Sequence, residues 1–465
     1  MPWWSTINPR NFLPSWYKSP SQASLRYLFY GLLLGFSFSL TSTSLALFFQ
    51  ARRRQRLAAQ ERFEPRPIEL RSDEILKGVT GLIGNTPLIR INSLSDALGV
   101  EILGKAEFLN PGGSVKDRVA LRMIDDAEMA GLLHPHTGSR IFEGTVGSTG
   151  ISIATIARAR GYDTSMHCSN FILLTINQLV DQAIIMPDDV AEEKVKALHA
   201  LGADVERVRP ASIVDKKQYV NVARQRALDF GKHFASDRPH LIQAPSSMVV
   251  STDGDEENTD DLMKKPRGFF ADQFENRSNH DAHYDGTGPE IWRQTNGTGG
   301  TVAGVGRFLK SMNEDIIVAI SDPEGSGLYN KIKHGVMFDL KESEGTKRRH
   351  QVDTVVEGIG NNRITDNISL ALPIIDDAFR ITDAEAVAMS RYLVQHDGLF
   401  LGSSSACNLF ACIKLARQMD WKEGKTIVTI LCDSGSRHYS KFWNDEYLEK
   451  AGIPIDPELV TKWLS

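Results

Sequence analysis

The sequence predicts an α/β fold with a mostly parallel sheet, preceded by one membrane-spanning helix. Three observations carry that expectation. Short apolar segments alternate with amphipathic ones from about residue 76, glycine-rich turns fall at the junctions, and one long charge-free run lies near the N-terminus. Strand–helix alternation marks parallel sheets, because parallel neighbours need a crossover between them. The 465 residues, 41% hydrophobic and 24% charged, suffice for a two-lobed enzyme core and exclude a small disulfide or zinc scaffold. Fifty-three Lys+Arg against 58 Asp+Glu give a net charge of −5, so no basic surplus draws the chain onto nucleic acid. Cys168, Cys407, Cys412 and Cys432 show no C-x-x-C spacing and H-E-x-x-H does not occur, so no metal site is expected and a reducing compartment is the default.

Residues 1–26 read as an N-terminal segment and 27–51 as the anchor, since no charge lies between Arg26 and Arg52. About 20 apolar residues cross a bilayer as a helix, and Ser37, Ser39, Thr41, Ser42, Thr43 and Ser44 can bond to helical carbonyls. Arg52, Arg53, Arg54 and Arg56 follow at once in place of a small-residue cleavage site, which argues against a signal peptide. The same cluster favours a cytosolic body. Residues 52–75 form a basic linker.

The body spans 76–455, with a smaller mobile lobe at about 118–225 and a C-terminal tail at 456–465. Its strands are expected at 101–108, 203–210, 316–323 and 425–433, and its helices at 114–131, 148–161, 191–202, 299–312 and 404–419. Each helix keeps apolar residues near i, i+3 and i+4, so one face meets a sheet. An acidic loop covers 252–266, and its first ten residues, TDGDEENTDD, hold six acids and no large apolar side chain.

Four glycine-rich turns carry candidate chemistry. In NPGGSVKDR (110–118), Pro111, Gly112 and Gly113 break the strand, Ser114 offers an N-cap, and Lys116 falls in the first helical turn. Helix N-termini favour anions, so this lysine is better placed if its amine is neutralised, for instance as an imine to a carbonyl cofactor. Taken alone, these nine residues fit a solvated lysine on a capped helix better. EGTVGSTG (143–150) leads into a helix whose amides can receive a carboxylate, and GTGGT (297–301) lets backbone N–H groups approach a phosphate. CDSGS (432–436) follows an apolar strand and brings Ser434 to the C-terminal edge of the sheet, where open α/β sheets bind ligands. Taken singly, each could be a tight turn that binds nothing.

Together, GNTPLIRI (84–91), NPGGSVKDR (110–118), FFADQFEN (269–276), GTGGTVAGV (297–305), EGIG (357–360) and CDSGSRHYS (432–440) resemble the cysteine synthase and cystathionine β-synthase family. The match runs in order from about 77 to 452. With the anchor, it is most similar to fungal membrane-anchored cysteine synthase-like proteins of mitochondria. The resemblance implies a two-lobed fold of the tryptophan-synthase-β type, pyridoxal 5′-phosphate as cofactor, and a homodimer. It also implies a single pass through the mitochondrial outer membrane with the catalytic domain facing the cytosol.

By the same resemblance, Lys116 binds the cofactor covalently and is the catalytic residue. Gly297, Thr298, Gly299, Gly300 and Thr301 hold the phosphate, Ser434 meets the pyridine nitrogen, and Ser148 faces the phenolic oxygen. Thr145, Val146, Gly147, Thr149 and Gly358 bind substrate. A neutral hydroxyl at the ring nitrogen does not hold it protonated, which favours elimination across Cα–Cβ over transamination. The implied reaction forms L-cysteine from O-acetyl-L-serine and sulfide. Cystathionine synthesis, dehydration and racemisation are alternatives on the same scaffold, and a catalytically weak tethered protein is another.

Three departures from the family stand out. T-S-G-N-T-G is Thr145 to Gly150 here, with Val146 removing one carboxylate donor and Ser148 replacing asparagine. Residues 165–183 intervene before I-I-M-P-D-D and are expected to break a buried strand, as a retained intron or an amphipathic insertion. TGPEIWRQTNGTGGT (287–301) lacks the short apolar strand that the family places before its phosphate loop, which weakens the sheet beneath the site.

Overall fold

A computed structural model describes residues 29–31, 75–162, 182–211, 214–232, 239–243, 249–253, 266–295, 303–339 and 354–465. The chain divides into units 1–64 and 65–465. Most of the 27–51 span lies outside the described residues, and only 29–31 are seen, as helix. Among the described residues no helix is long and apolar enough to cross a membrane.

The strands of the larger unit are β1 (Leu88–Arg90), β2 (Glu101–Ala106), β3 (Arg140–Gly144), β4 (Gln182–Pro187), β5 (Asp204–Val208), β6 (Pro239–Gln243), β7 (Val249–Asp253), β8 (Gly268–Phe270), β9 (Ala319–Pro323), β10 (Asp377–Ile381) and β11 (Thr426–Leu431). The helices that frame the site are α1 (Lys116–Met129), α2 (Ser148–Ala159), α3 (Glu192–Ala200), α4 (Tyr219–Lys232), α5 (Gly288–Gln294), α6 (Gly304–Met312), α7 (Asp383–Asp397), α8 (Ser403–Gln418) and α9 (Glu458–Leu464). Each strand and helix expected in the body from residue 76 onwards has a counterpart among the described residues, displaced by a few residues at its ends.

One sheet runs β5-β4-β3-β8-β7-β6. Its first four strands are mutually parallel, and β7 pairs antiparallel with both β8 and β6. The β6–β7 connection is too short for a parallel crossover, which takes a dozen or more residues. Side chains alternate across the sheet. Ile141 and Phe269 face α1 and α2 with Val119, Met123 and Ile153, whereas Phe142 and Phe270 face α4 with Val220 and Ala223. The strands of this sheet run in sequence from Arg140 to Phe270. The acidic stretch begins inside β7 at Thr252 and Asp253, and the rest of it to Lys265 lies outside the described residues.

Of the 165–183 segment only Gln182 and Ala183 are described, and they open β4 in parallel register with Ile141 and Phe142. The isoleucine-rich segment that follows supplies the rest of the strand, and 163–181 lie outside the described residues. The 456–465 tail is helical from Glu458 to Leu464. These residues form α9, whose Val460 is fully buried while Leu459 and Trp463 pack on the cluster holding Phe410 and Leu393, because their apolar spacing gives the helix one core face.

The other strands form two separate sheets, β1-β2-β11 and β9-β10. Among the described residues no strand joins them, and residues 296–302, with the phosphate loop, lie outside the described residues. The free edges of β11 and β9 line a cavity of about 870 Å3. Asn408 of α8 bridges the two edges, accepting from the Ser321 hydroxyl and donating to the Ile430 carbonyl at 3.0 Å.

Candidate active site

The cavity continues from this gap to the start of α1, where Lys116 is the first helical residue. Helix α1 opens after Val115, and the Ser114 hydroxyl accepts the Lys116 N–H at 3.3 Å. The preceding turn is tight: Gly113 adopts φ 80, and its N–H donates to the Asn110 carbonyl at 2.7 Å. Val115 N–H donates to the Cys432 carbonyl at 3.0 Å and Ser114 bridges to Asp433, so the 110–118 and 432–440 segments meet.

The neighbours of Lys116 are tied down. Asp117 accepts the Gly112 N–H and the Ser152 hydroxyl, each at 2.5 Å. Arg118 pairs with Glu107 at 2.7 Å and Glu290 at 2.8 Å, and Glu290 also takes Lys105 at 2.7 Å. The Lys116 amine, by contrast, has no hydrogen bond or ion pair among the described residues, and the residue lines the cavity. Burial pushes its ammonium below the usual lysine range, while Cys432 and Glu143 act weakly the other way. An unpaired, desolvated amine is what covalent bonding to a carbonyl requires, and the residues present fit such a cofactor.

The other expected residues are distributed as follows. Ser148 and Gly358 line the cavity with Lys116. Ser148 opens α2, and Arg437 reaches its hydroxyl at 3.4 Å. Gly358 adopts φ 89. Thr145, Val146, Gly147 and Thr149 lie behind this lining. Thr145 Oγ1 accepts the Gly147 N–H at 3.2 Å, and the buried Thr149 hydroxyl donates to Gln273 at 2.5 Å. Val146, half-buried, packs against the edge of the apolar cluster of Ile184, Met186 and Val190. Ser434 follows the lining residues Cys432 and Asp433, and its hydroxyl accepts the Ser436 N–H at 3.3 Å. Gly297, Thr298, Gly299, Gly300 and Thr301 lie outside the described residues; the chain resumes at Ala303, which lines the cavity ahead of α6.

Sequence reasoning did not single out Gln273, Lys194, Ser404 or Asn408, which also line the cavity. Gln273 sits within a quoted motif, so a signal existed. Lys194 reads as an ordinary polar position of an amphipathic helix.

Residues 79–433 match the family model described as pyridoxal-phosphate dependent enzyme. Cysteine synthase 2 of Schizosaccharomyces pombe is 49% identical over 391 residues, covering 82% of this chain and 87% of that one. A Saccharomyces cerevisiae protein, named as a candidate mitochondrial cysteine synthase, is 44% identical over 82% of this chain and 85% of its own. The crystal structure of O-ureido-L-serine synthase superposes with a TM-score of 0.59 at 25% identity, covering 80% of this chain and 96% of that one. The fold, the cavity and these matches agree: the chain belongs to the pyridoxal-phosphate dependent enzymes, and pyridoxal phosphate is its cofactor.

Proposed function

We propose that this protein makes L-cysteine from O-acetyl-L-serine and sulfide by replacement at Cβ. The observation that carries the reading is the unpaired Lys116 amine facing the cavity, in a chain about half identical to cysteine synthases over most of its length. Pyridoxal phosphate, when bound, supplies an electron sink for the Cα carbanion. Lys116 holds the cofactor and, once released by the substrate amine, takes the Cα proton on Nζ. Acetate leaves with the C–O bonding electrons, sulfide sulfur bonds to Cβ, and Lys116 returns a proton to Cα. Ser434 is assigned to the ring nitrogen, Ser148 to the phenolic oxygen, and residues 297–301 to the phosphate.

Incubating the cofactor-loaded protein with O-acetyl-L-serine and sulfide should release cysteine and acetate in equal amounts. Homocysteine or water serving as the better acceptor would move the reading to cystathionine synthesis or dehydration. The split between β11 and β9 favours a second reading, a protein that binds the cofactor and turns over slowly. A full cofactor spectrum without cysteine release would select it.

The charge-free 27–51 span and the arginines after it support a single-pass anchor with a cytosolic body, and the Saccharomyces cerevisiae relative's name supports the mitochondrion. On this reading the full-length protein stays in the pellet after alkaline-carbonate extraction and a chain lacking residues 1–64 does not. A full-length protein in the supernatant overturns the anchor. Sedimentation of the shortened chain tests the homodimer.

A further inference from the structure

We propose that Lys194 is a positioning residue of the cavity: paired with Glu357, it ties the turn at Gly147 to the Glu357–Gly360 segment and so sets the affinity for the amino-acid substrate. The inference rests on reading the cavity as an amino-acid site. Lys194 lies in the first turn of α3, a position where the helix dipole disfavours a cation, yet its side chain is only 2% exposed. Something else must hold it there. Its ammonium is ion-paired with Glu357 Oε2, and Lys441 takes Glu357 Oε1 at 3.3 Å.

The lysine stem backs the substrate turn. A Cβ on Gly147 would come within 2.8 Å of Lys194 Cδ, and φ 121 at Gly147 is open to glycine alone. Lys194, Glu357, Gly358 and Lys116 line the same cavity. Two more bonds cross this seam: Ser440 N–H donates to Glu193 Oε1 at 3.0 Å, and Lys441 donates to the Asp189 carbonyl. The pair therefore joins the sheet that carries α2 and α3 to the segments around Ser403 and Ser440, and Glu357 N–H itself donates to Ser403 Oγ at 3.1 Å.

The charged groups facing Glu357 are Lys194 from α3 and His438 and Lys441 from the C-terminal turn, with Asp433 behind His438 at 3.0 Å. Burial pushes the Glu357 carboxyl up, but Lys194, His438 and Lys441 outweigh it and hold it at about 2. Removing Lys194 leaves a buried carboxylate short of one partner, so its pKa rises. Its ionised form then opposes the substrate carboxylate, and affinity falls further as pH rises through the new value.

The test compares cofactor-loaded wild type, Lys194→Met, Lys194→Arg and Lys194→Met/Glu357→Gln. Dissociation constants for L-serine and O-acetyl-L-serine are read from the cofactor's visible spectrum without sulfide, from about pH 4 to 9. Lys194→Met should bind about 10- to 100-fold more weakly, the loss expected for one charged hydrogen bond, and its ratio to wild type should grow with pH. Lys194→Arg should stay within a few-fold of wild type. The double variant should remain weakened with a ratio that no longer changes with pH, and cofactor loading should be equal throughout.

Wild-type affinity in Lys194→Met, a pH-independent ratio in it, or wild-type affinity in the double variant overturns the proposal. If Lys194→Met does not fold, the charge-free double variant decides: a pH-independent weakening sustains the proposal and wild-type affinity overturns it. Sulfide is absent, so a failure to form cysteine would count against the proposed reaction and leave these affinities readable.

Discussion

Lys116 owes its availability to its neighbours. Asp117 is bonded on both carboxylate oxygens and Arg118 is shared between Glu107 and Glu290, so the first turn of α1 is fixed while the lysine amine alone stays unpaired. The lysine was legible because its glycine-rich turn is a local signal. The direction of Val146 was not, because a loop side chain's orientation depends on tertiary packing, here against Ile184 and Met186. Lys194 gave no local signal either, since its partner Glu357 is distant in sequence. These placements separate two changes that the sequence alone would pair. Ser148→Asn should supply a longer donor at the cavity and tighten O-acetyl-L-serine binding by roughly 10-fold, the worth of one good hydrogen bond. Val146→Ser should gain no affinity and lose about 1 kcal/mol of stability, since the half-buried valine gives up contacts with Ile184 and Met186. Apparent affinity and the urea midpoint, measured on each single variant, check both.

At the scale of elements, β2, β5, β9 and β11 were legible because each lies within or beside a short apolar run of the sequence. The β6–β7 pair was not, since PHLIQ and VVSTD are short and gain their strand character from neighbours across the sheet. Helix α7 was missed although Thr382 and Glu385 form a capping box at its start. Among the described residues no strand lies between β11 and β9. Inserting five residues of alternating Val and Thr between Asn296 and Gly297 should fill that gap, burying two or three aliphatic side chains for roughly 3–6 kcal/mol. The urea midpoint should rise and the cofactor should be held more tightly. An unchanged midpoint would mean that the two edges are already satisfied as they stand.

For the whole molecule, buried carboxylates make stability depend on pH. Glu357, held at about 2 against an ordinary value near 4.5, adds stability that is complete above about pH 4.5 and lost as pH falls towards 2. Glu290, held low by Arg118 and Lys105 despite its burial, acts in the same direction. Asp117 runs the other way: burial raises it to about 6, so its contribution is present below its ordinary value and lost as pH rises through about 6. Below about pH 4.5 the urea midpoint should therefore fall, with Glu357 accounting for on the order of 3 kcal/mol. Glu357→Gln should flatten that fall, and an equally steep curve in the variant would show that the ion pair contributes nothing. The assignment of Lys116 is tested most directly by borohydride reduction of the cofactor-loaded protein followed by peptide mapping. The pyridoxyl group is expected on the peptide containing Lys116 and should disappear in Lys116→Ala; finding it on Lys194 or Lys425, which line the same cavity, would contradict the assignment.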